Sequence, residues 1–258
     1  MVEPVYTPVI GLARAFFAAL GLRFTISGQE HIPREGGAVL AMNHVGYLDF
    51  ALCGWAFRPS GRVVRFMAKK EVFDHPVGGP LMRGMKHIPV DRESGATSYL
   101  AAVEACRRGE IVGVFPEATI SQSFDLKGFK SGAARMAMDA GVPLLPMVVW
   151  GSQRLMTKGR PRDLTRGTPI RLSIGQPMHP SAGQEATALT AELKVAMQTL
   201  LDEARSGYPG RPRSPEDTWW LPASLGGTAP TLEQADEVDR LERAARAAKR
   251  RAAREAAN

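Results

Sequence analysis

The segment AMNHVGYLDF, Ala41 to Phe50, sets Asn43, His44 and Asp49 among apolar residues directly after the apolar run GAVLA. An imidazole and a carboxylate in one short segment suggest proton transfer: the carboxylate fixes the ring's tautomer, and the ring accepts a proton near neutral pH. Asn43 is a good helix N-cap, so the pattern predicts that His44 sits where a helix begins, and the positive end of that helix disfavours a second proton on the ring. Asp49 opposes that tendency. On a regular helix, residues five apart diverge by about 140°. The two side chains therefore meet only if the first residues of the segment lie in a turn, for which Gly46 is suited. A His and an Asp at this spacing are unspecific alone, because such pairs often satisfy one another in a core.

Three further segments carry groups that suit a phosphorylated or hydroxylated ligand. In KHIPVDR, Arg92 follows a strand-like alternation, and its planar fork fits phosphate oxygens. Taken alone, it is a surface ion pair with Asp91. In FPEATIS, Glu117 follows Pro116 at the end of an apolar run and can bond a hydroxyl, with Thr119 two residues on. Taken alone, it is a turn. In DLKGFKSGAARMA, Lys127 and Lys130 precede a helix with small residues, where ammonium groups and backbone N–H groups can hold an anion.

The elements that must position these groups alternate between short apolar runs and helical stretches. AVLAM precedes Tyr47 to Phe57, VVRFMA precedes Val77 to Met85, HIPV precedes Ala96 to Arg108, and IVGVF precedes Phe129 to Ala140; PLLPMVVW and PIRLSIG follow. This order predicts an α/β fold with a mostly parallel central sheet flanked by helices. Ligands in such sheets collect at the carboxyl ends of the strands, and each polar segment above follows a strand candidate at that end.

Taken in order, NHVGYLD, GMKHIPVDR, FPEAT and VPLLPMVV resemble the four motifs of the glycerophosphate acyltransferase superfamily, and most of all those of its 1-acylglycerol-3-phosphate acyltransferases. The resemblance covers about Gly28 to Gly175. It implies the glycerol-3-phosphate acyltransferase-like fold, with His44 as general base and Asp49 as its orienting partner. It also implies an acceptor site drawn from Asn43, Lys70, Arg92, Glu117, Thr119 and Lys130, in which Arg92 and the lysines hold phosphate and Glu117 holds a substrate hydroxyl. No metal and no cofactor are implied. The substrates would be a lysophospholipid acceptor and an acyl thioester donor, either acyl-CoA or acyl carrier protein. Lysophosphatidic acid is the expected acceptor, with glycerol 3-phosphate or a glycosylated phosphatidylinositol as alternatives. One residue departs from the pattern: Ala118 stands where the family usually has Gly, so a turn that needs positive φ would be strained there.

Composition and charge bound the rest. The 258 residues are 44% hydrophobic and 23% charged, as in ordinary folded proteins. The formal net charge of +7 belongs mostly to the body, because the tail Thr231 to Asn258 nearly balances its charges. The basic stretch Arg58 to Arg92 suits anions; nucleic acid, phosphorylated metabolites and anionic lipid all qualify on charge, and the resemblance favours lipid over nucleic acid. Cys53 and Cys106 lie in apolar or helical contexts without metal-ligand spacing. No P-loop, GxGxxG, HExxH or GxSxG pattern occurs. A hydrolase built on the same His and Asp would need a nucleophile, and Ser121 and Ser123 lack an elbow motif.

Residues 1–27 read as an amphipathic helix, lying either on its own core or at a membrane interface. Residues 28–205 read as the acyltransferase domain, 206–230 as a Pro- and Gly-rich strap, and 231–258 as a charged helix opened by the capping box of Thr231 and Gln234. With neither a secretion signal nor a spanning segment, the expected location is the cytoplasmic face of a membrane, held peripherally or monotopically on anionic lipid.

Overall fold

The computed structural model describes residues 3–91 and 95–255. Arg92 lies outside the described residues. In chain order the elements are α1 (Tyr6–Ala19), β1 (Arg23–Ser27), β2 (Ala38–Met42), α2 (Asp49–Ala56), β3 (Val64–Lys69), α3 (Lys70–Phe73), α4 (Gly78–Gly84), β4 (Ile88–Val90), α5 (Gly95–Arg107), β5 (Ile111–Val114), α6 (Gly132–Ala140), β6 (Leu144–Trp150), β7 (Pro169–Ile174), α7 (Ala186–Ser206) and α8 (Leu232–Glu255).

Seven strands form one sheet in the order β1-β7-β6-β2-β5-β3-β4. Five of them, β6, β2, β5, β3 and β4, run parallel, and β7 turns back antiparallel to β6 with β1 parallel to it. Strands covered on both faces need no alternation, and the central strands have none: every residue of β2 and β6 is buried. By contrast β1, at one edge, alternates exposed and half-buried positions, and β4, at the other, is three residues long. The mostly parallel α/β architecture expected from the alternation is the one found, with β1 added to it.

The strand order also determines where a crevice opens. The chain leaves β2 towards β3 on one side and leaves the adjacent β5 towards β6 on the other. With right-handed crossovers, α2 and α6 then cover opposite faces, and the loops after β2 and β5 part at the carboxyl edge. Helices α5, α6 and α7 pack against one another along the α6 side.

The chain divides into two compact units, Met1–Ile120 with Gly128–Gly210, and Ser121–Lys127 with Arg211–Asn258. In the first, α1 packs by one face and stays apolar on another. Phe17 meets Phe24 and Trp55, and the Tyr6 hydroxyl donates to the Val64 carbonyl, while Leu12 and Phe16 are exposed. Arg65, buried on β3, pairs with Glu3 and Glu110 and donates to the Met85 carbonyl, fastening the chain before α1 to the sheet. The guanidinium holds the Glu3 carboxyl below its usual range.

In the second unit, Thr231 and Gln234 exchange side-chain and backbone hydrogen bonds at the start of α8, as a capping box does. Lys127 is buried between Asp236, at 2.8 Å, and Asp239 of the same helix. Trp220 is also buried, so it is not presented to a lipid layer.

A neutral histidine helps hold the short β4. His87 is buried, and its Nδ1 accepts the Phe66 backbone N–H at 3.0 Å, which requires an unprotonated nitrogen. Burial, with Arg65 nearby, pushes the imidazole down to about 4. The unfolded chain therefore binds a proton here near pH 6.5 that the folded chain refuses until about pH 4. The associated stability is complete above pH 6.5 and is lost as the pH falls through that window. Denaturant titrations from pH 7.5 to 4.5 should show the protein losing about 2–3 kcal/mol more than a His87→Gln variant; equal losses would contradict this account.

Candidate active site

Asp49 is the first residue of α2 and is fully buried. A buried carboxylate stays ionised only where hydrogen bonds replace its water. Its Oδ2 accepts the Nδ1–H of His44 at 2.9 Å and the backbone N–H groups of Val45 at 2.7 Å and Gly46 at 2.8 Å. Its Oδ1 accepts the hydroxyl of Ser152 at 2.5 Å. The start of α2 adds the favourable end of the helix dipole.

The geometric condition set by the spacing is met, but not as the capping argument expected. Residues 43–48 form a loop and turn, and α2 begins only at Asp49. Asn43 is therefore no N-cap, and His44 does not open a helix. The Asn43 side chain instead grips β6, donating to the Val149 carbonyl at 3.0 Å and accepting the Val149 N–H at 2.7 Å. Gly46 does not use positive φ. A Cβ there would lie 3.0 Å from the Met156 carbonyl oxygen and 3.1 Å from that of Ser152, so glycine is demanded by close approach of the 151–157 segment.

That segment braces the turn from outside. Met156 O accepts the Tyr47 N–H at 2.9 Å, and the Thr157 hydroxyl donates to the Val45 carbonyl at 2.6 Å. On the other side the His44 ring stacks on Phe115, with centroids 4.1 Å apart and planes 19° from parallel. The His44 N–H donates to Glu117 Oε1 at 2.8 Å. Because Asp49 holds Nδ1, the basic nitrogen is Nε2, on a side chain that is 21% exposed.

His44, Asp49 and Glu117 are thus brought together, from the loops after β2 and β5. Glu117 is buried, with one carboxylate oxygen committed to the His44 backbone, while Thr119 is half-buried two residues on. Lys130 is exposed, and its backbone N–H donates to the Pro116 carbonyl, tying it to the FPEAT turn. Lys70 follows β3 at the same edge of the sheet and pairs with Asp91 at 3.4 Å. Lys127, expected to share an anion with Lys130, is instead enclosed by Asp236 and Asp239, whose two carboxylates offset the cost of burying its ammonium.

Sequence reasoning missed Ser152. A signal was present: GSQRLMT follows the strand PLLPMVVW at the same carboxyl edge that supplies the other segments. The chain can turn there because Gly151 has φ 101°, and a Cβ on it would lie 2.3 Å from the Pro169 carbonyl oxygen. Among the described residues, no group of three or more His, Cys, Asp or Glu side chains could hold a metal ion.

A family model described as Acyltransferase matches residues 23–150, from the first residue of β1 to the last of β6. The chain belongs to this acyltransferase family. A relative from Bacillus subtilis (strain 168), named 1-acyl-sn-glycerol-3-phosphate acyltransferase, is 32% identical over 155 residues, covering 57% of this chain and 75% of that protein. Proteins of the same name from Borreliella burgdorferi and Limnanthes douglasii are 26% and 32% identical over 54% of this chain, spanning only 55% and 49% of their own lengths. The crystal structure of the 1-acyl-sn-glycerophosphate (LPA) acyltransferase PlsC from Thermotoga maritima aligns with a TM-score of 0.68 at 24% identity, over 79% of this chain and 81% of that one, and shows the shared fold.

The anticipated strain at the FPEAT turn is present: Ala118 has φ 59° and is exposed. A left-handed alanine costs about 1–2 kcal/mol, partly offset in the unfolded chain when glycine replaces it. Ala118→Gly should raise stability by up to about 1 kcal/mol in denaturant melts; a less stable variant would contradict strain at this turn.

Proposed function

We propose that the chain transfers a fatty acyl group from an acyl thioester, acyl-CoA or acyl carrier protein, to a hydroxyl of 1-acylglycerol-3-phosphate, giving phosphatidic acid. The observation that carries this reading is the partly exposed His44 ring after β2, its Nδ1–H held by a buried Asp49 whose two oxygens both accept hydrogen bonds. The names of the curated relatives support the acceptor.

In the reaction, Nε2 of His44 takes the proton of the glycerol hydroxyl as its oxygen attacks the thioester carbonyl carbon. The tetrahedral intermediate collapses with cleavage of the C–S bond, and the departing thiolate recovers the proton from the imidazolium. Asp49 steadies the ring through both transfers, and no covalent enzyme intermediate forms. Lys70 and Lys130 are assigned to the acceptor phosphate, since cations at the carboxyl edge of one sheet suit a dianion, and Arg92 joins them on the strength of the motif alone. Glu117 holds the His44 backbone in place, and Thr119 lies beside it for the acceptor.

The acceptor is a membrane lipid, so the enzyme works at a bilayer surface. The exposed Leu12 and Phe16 of α1 support docking by that helix, and among the described residues no helix is long and apolar enough to cross a membrane. We assign the protein to the cytoplasmic leaflet, with anionic lipid favoured by the basic body.

One radiolabelled long-chain acyl-CoA offered with lysophosphatidic acid, glycerol 3-phosphate and mannosylated phosphatidylinositol tests the reading. Labelled phosphatidic acid should form fastest. His44→Ala should lower its rate by about three orders of magnitude or more with the fold retained by circular dichroism. Free fatty acid as the sole product would point to hydrolysis, preference for another acceptor would reassign the substrate, and a near-normal rate in His44→Ala would remove His44 as the base.

A further inference from the structure

We infer that Ser152 is a positioning residue for acyl transfer, acting through Asp49. The inference rests on the proposed acyl-transfer reading and adds a component from outside the segment that the family model matches, which ends at residue 150. Ser152 opens the short 3-10 turn Ser152–Arg154 directly after β6 and is fully buried.

The argument starts from the two oxygens of Asp49. Oδ2 receives three N–H donors, from His44, Val45 and Gly46, all belonging to its own turn. Oδ1 receives the Ser152 hydroxyl, the one side-chain or backbone donor to that atom among the described residues. Without it, a carboxylate oxygen in a fully buried residue would have neither water nor a protein partner, and the ionised form would be disfavoured.

The same contact fixes the plane of the carboxylate. Rotation about the Cβ–Cγ bond would carry both oxygens off their donors, so the Ser152 hydroxyl on Oδ1 adds a restraint from a separate segment to the three donors that Oδ2 takes from its own turn. The direction of the lone pair facing His44 Nδ1–H is set in this way, and with it the aim of Nε2. Ser152 itself is anchored. The preceding Gly151 N–H donates to Gln153 Oε1 at 2.9 Å, and the Ser152 carbonyl packs against Gly46, 3.1 Å from where a Cβ would stand. The hydroxyl is delivered by backbone that also supports the catalytic turn, so little freedom remains to be lost in the transition state.

A residue that acts only through Asp49 should matter only while Asp49 is a carboxylate. The test measures kcat and both KM values with lysophosphatidic acid and one long-chain acyl-CoA for the wild type, His44→Ala, Asp49→Asn, Ser152→Ala, Ser152→Thr and the Asp49→Asn/Ser152→Ala pair. Ser152→Ala should lower kcat roughly 10- to 100-fold and leave each KM within about twofold, since substrate binding is untouched. Ser152→Thr, which keeps the hydroxyl, should recover most of the loss; if thermal melts show its extra methyl unfolds the site, Ser152→Cys takes its place and should fall between wild type and alanine.

In the Asp49→Asn background, Ser152→Ala should add less than about a twofold loss, because the group it orients has gone. Four results would overturn the inference: a kcat within twofold of wild type in Ser152→Ala, a loss expressed in KM alone, an alanine-sized loss in a folded hydroxyl-bearing variant, or multiplicative losses in the double variant. Near-wild-type turnover in His44→Ala would instead overturn the underlying acyl-transfer assignment, so the two failures are distinct.

Discussion

The site depends on keeping one buried carboxylate charged. Asp49 is shut off from bulk solvent, so its negative charge leans on hydrogen-bond donors of the protein, and four of them converge on it. Three belong to the turn that Asp49 itself closes, which makes the five-residue separation from His44 a consequence of the chain folding back over its own carboxylate. The fourth comes from the far end of β6. An imidazole held this way has one tautomer and one orientation, and these are what a general base needs before any substrate arrives.

The sheet puts that turn where a substrate can reach it. Adjacent strands β2 and β5 send their connections in opposite directions, so their carboxyl ends border a crevice that helices do not close. The motif residues His44 and Glu117 leave these two strands, and a backbone-to-carboxylate hydrogen bond joins them. Phe115, the residue after β5, supplies the flat surface on which the imidazole rests. Uniformly buried strands at the centre of the sheet make the base of this arrangement rigid.

Ala118 and Lys127, both close in sequence to Glu117, have different physical meanings. Ala118 keeps the backbone conformation that glycine would adopt without strain, and it is exposed, so the turn is held against a local energetic preference. Lys127 lies in a segment dense with apparent anion ligands, yet its charge is spent within the second unit, on two carboxylates of α8. A cation near a motif in sequence is not thereby a ligand. What decides is which carboxylates the fold brings to it.

Much of the fold was legible in the sequence. Apolar runs identified β2 to β7 because strands buried in a sheet are rich in apolar residues, and NHVGYLD and FPEAT follow the carboxyl ends of β2 and β5. β1 escaped because an edge strand with one half-buried face has too few apolar residues to stand out. The capping role expected of Asn43 failed since its amide found a better partner in the backbone of Val149, 106 residues away. The partner of Ser152 was hidden for the same reason, since Ser152 meets Asp49 across 103 residues. The sequence by itself determined six of the seven strands, because apolar runs are local properties, and its four motifs in order carried the resemblance that implied acyl transfer. Only the tertiary structure decided which donors satisfy Asp49 and which carboxylates claim Lys127, because those pairings join segments that are far apart in the chain and adjacent only once it is folded.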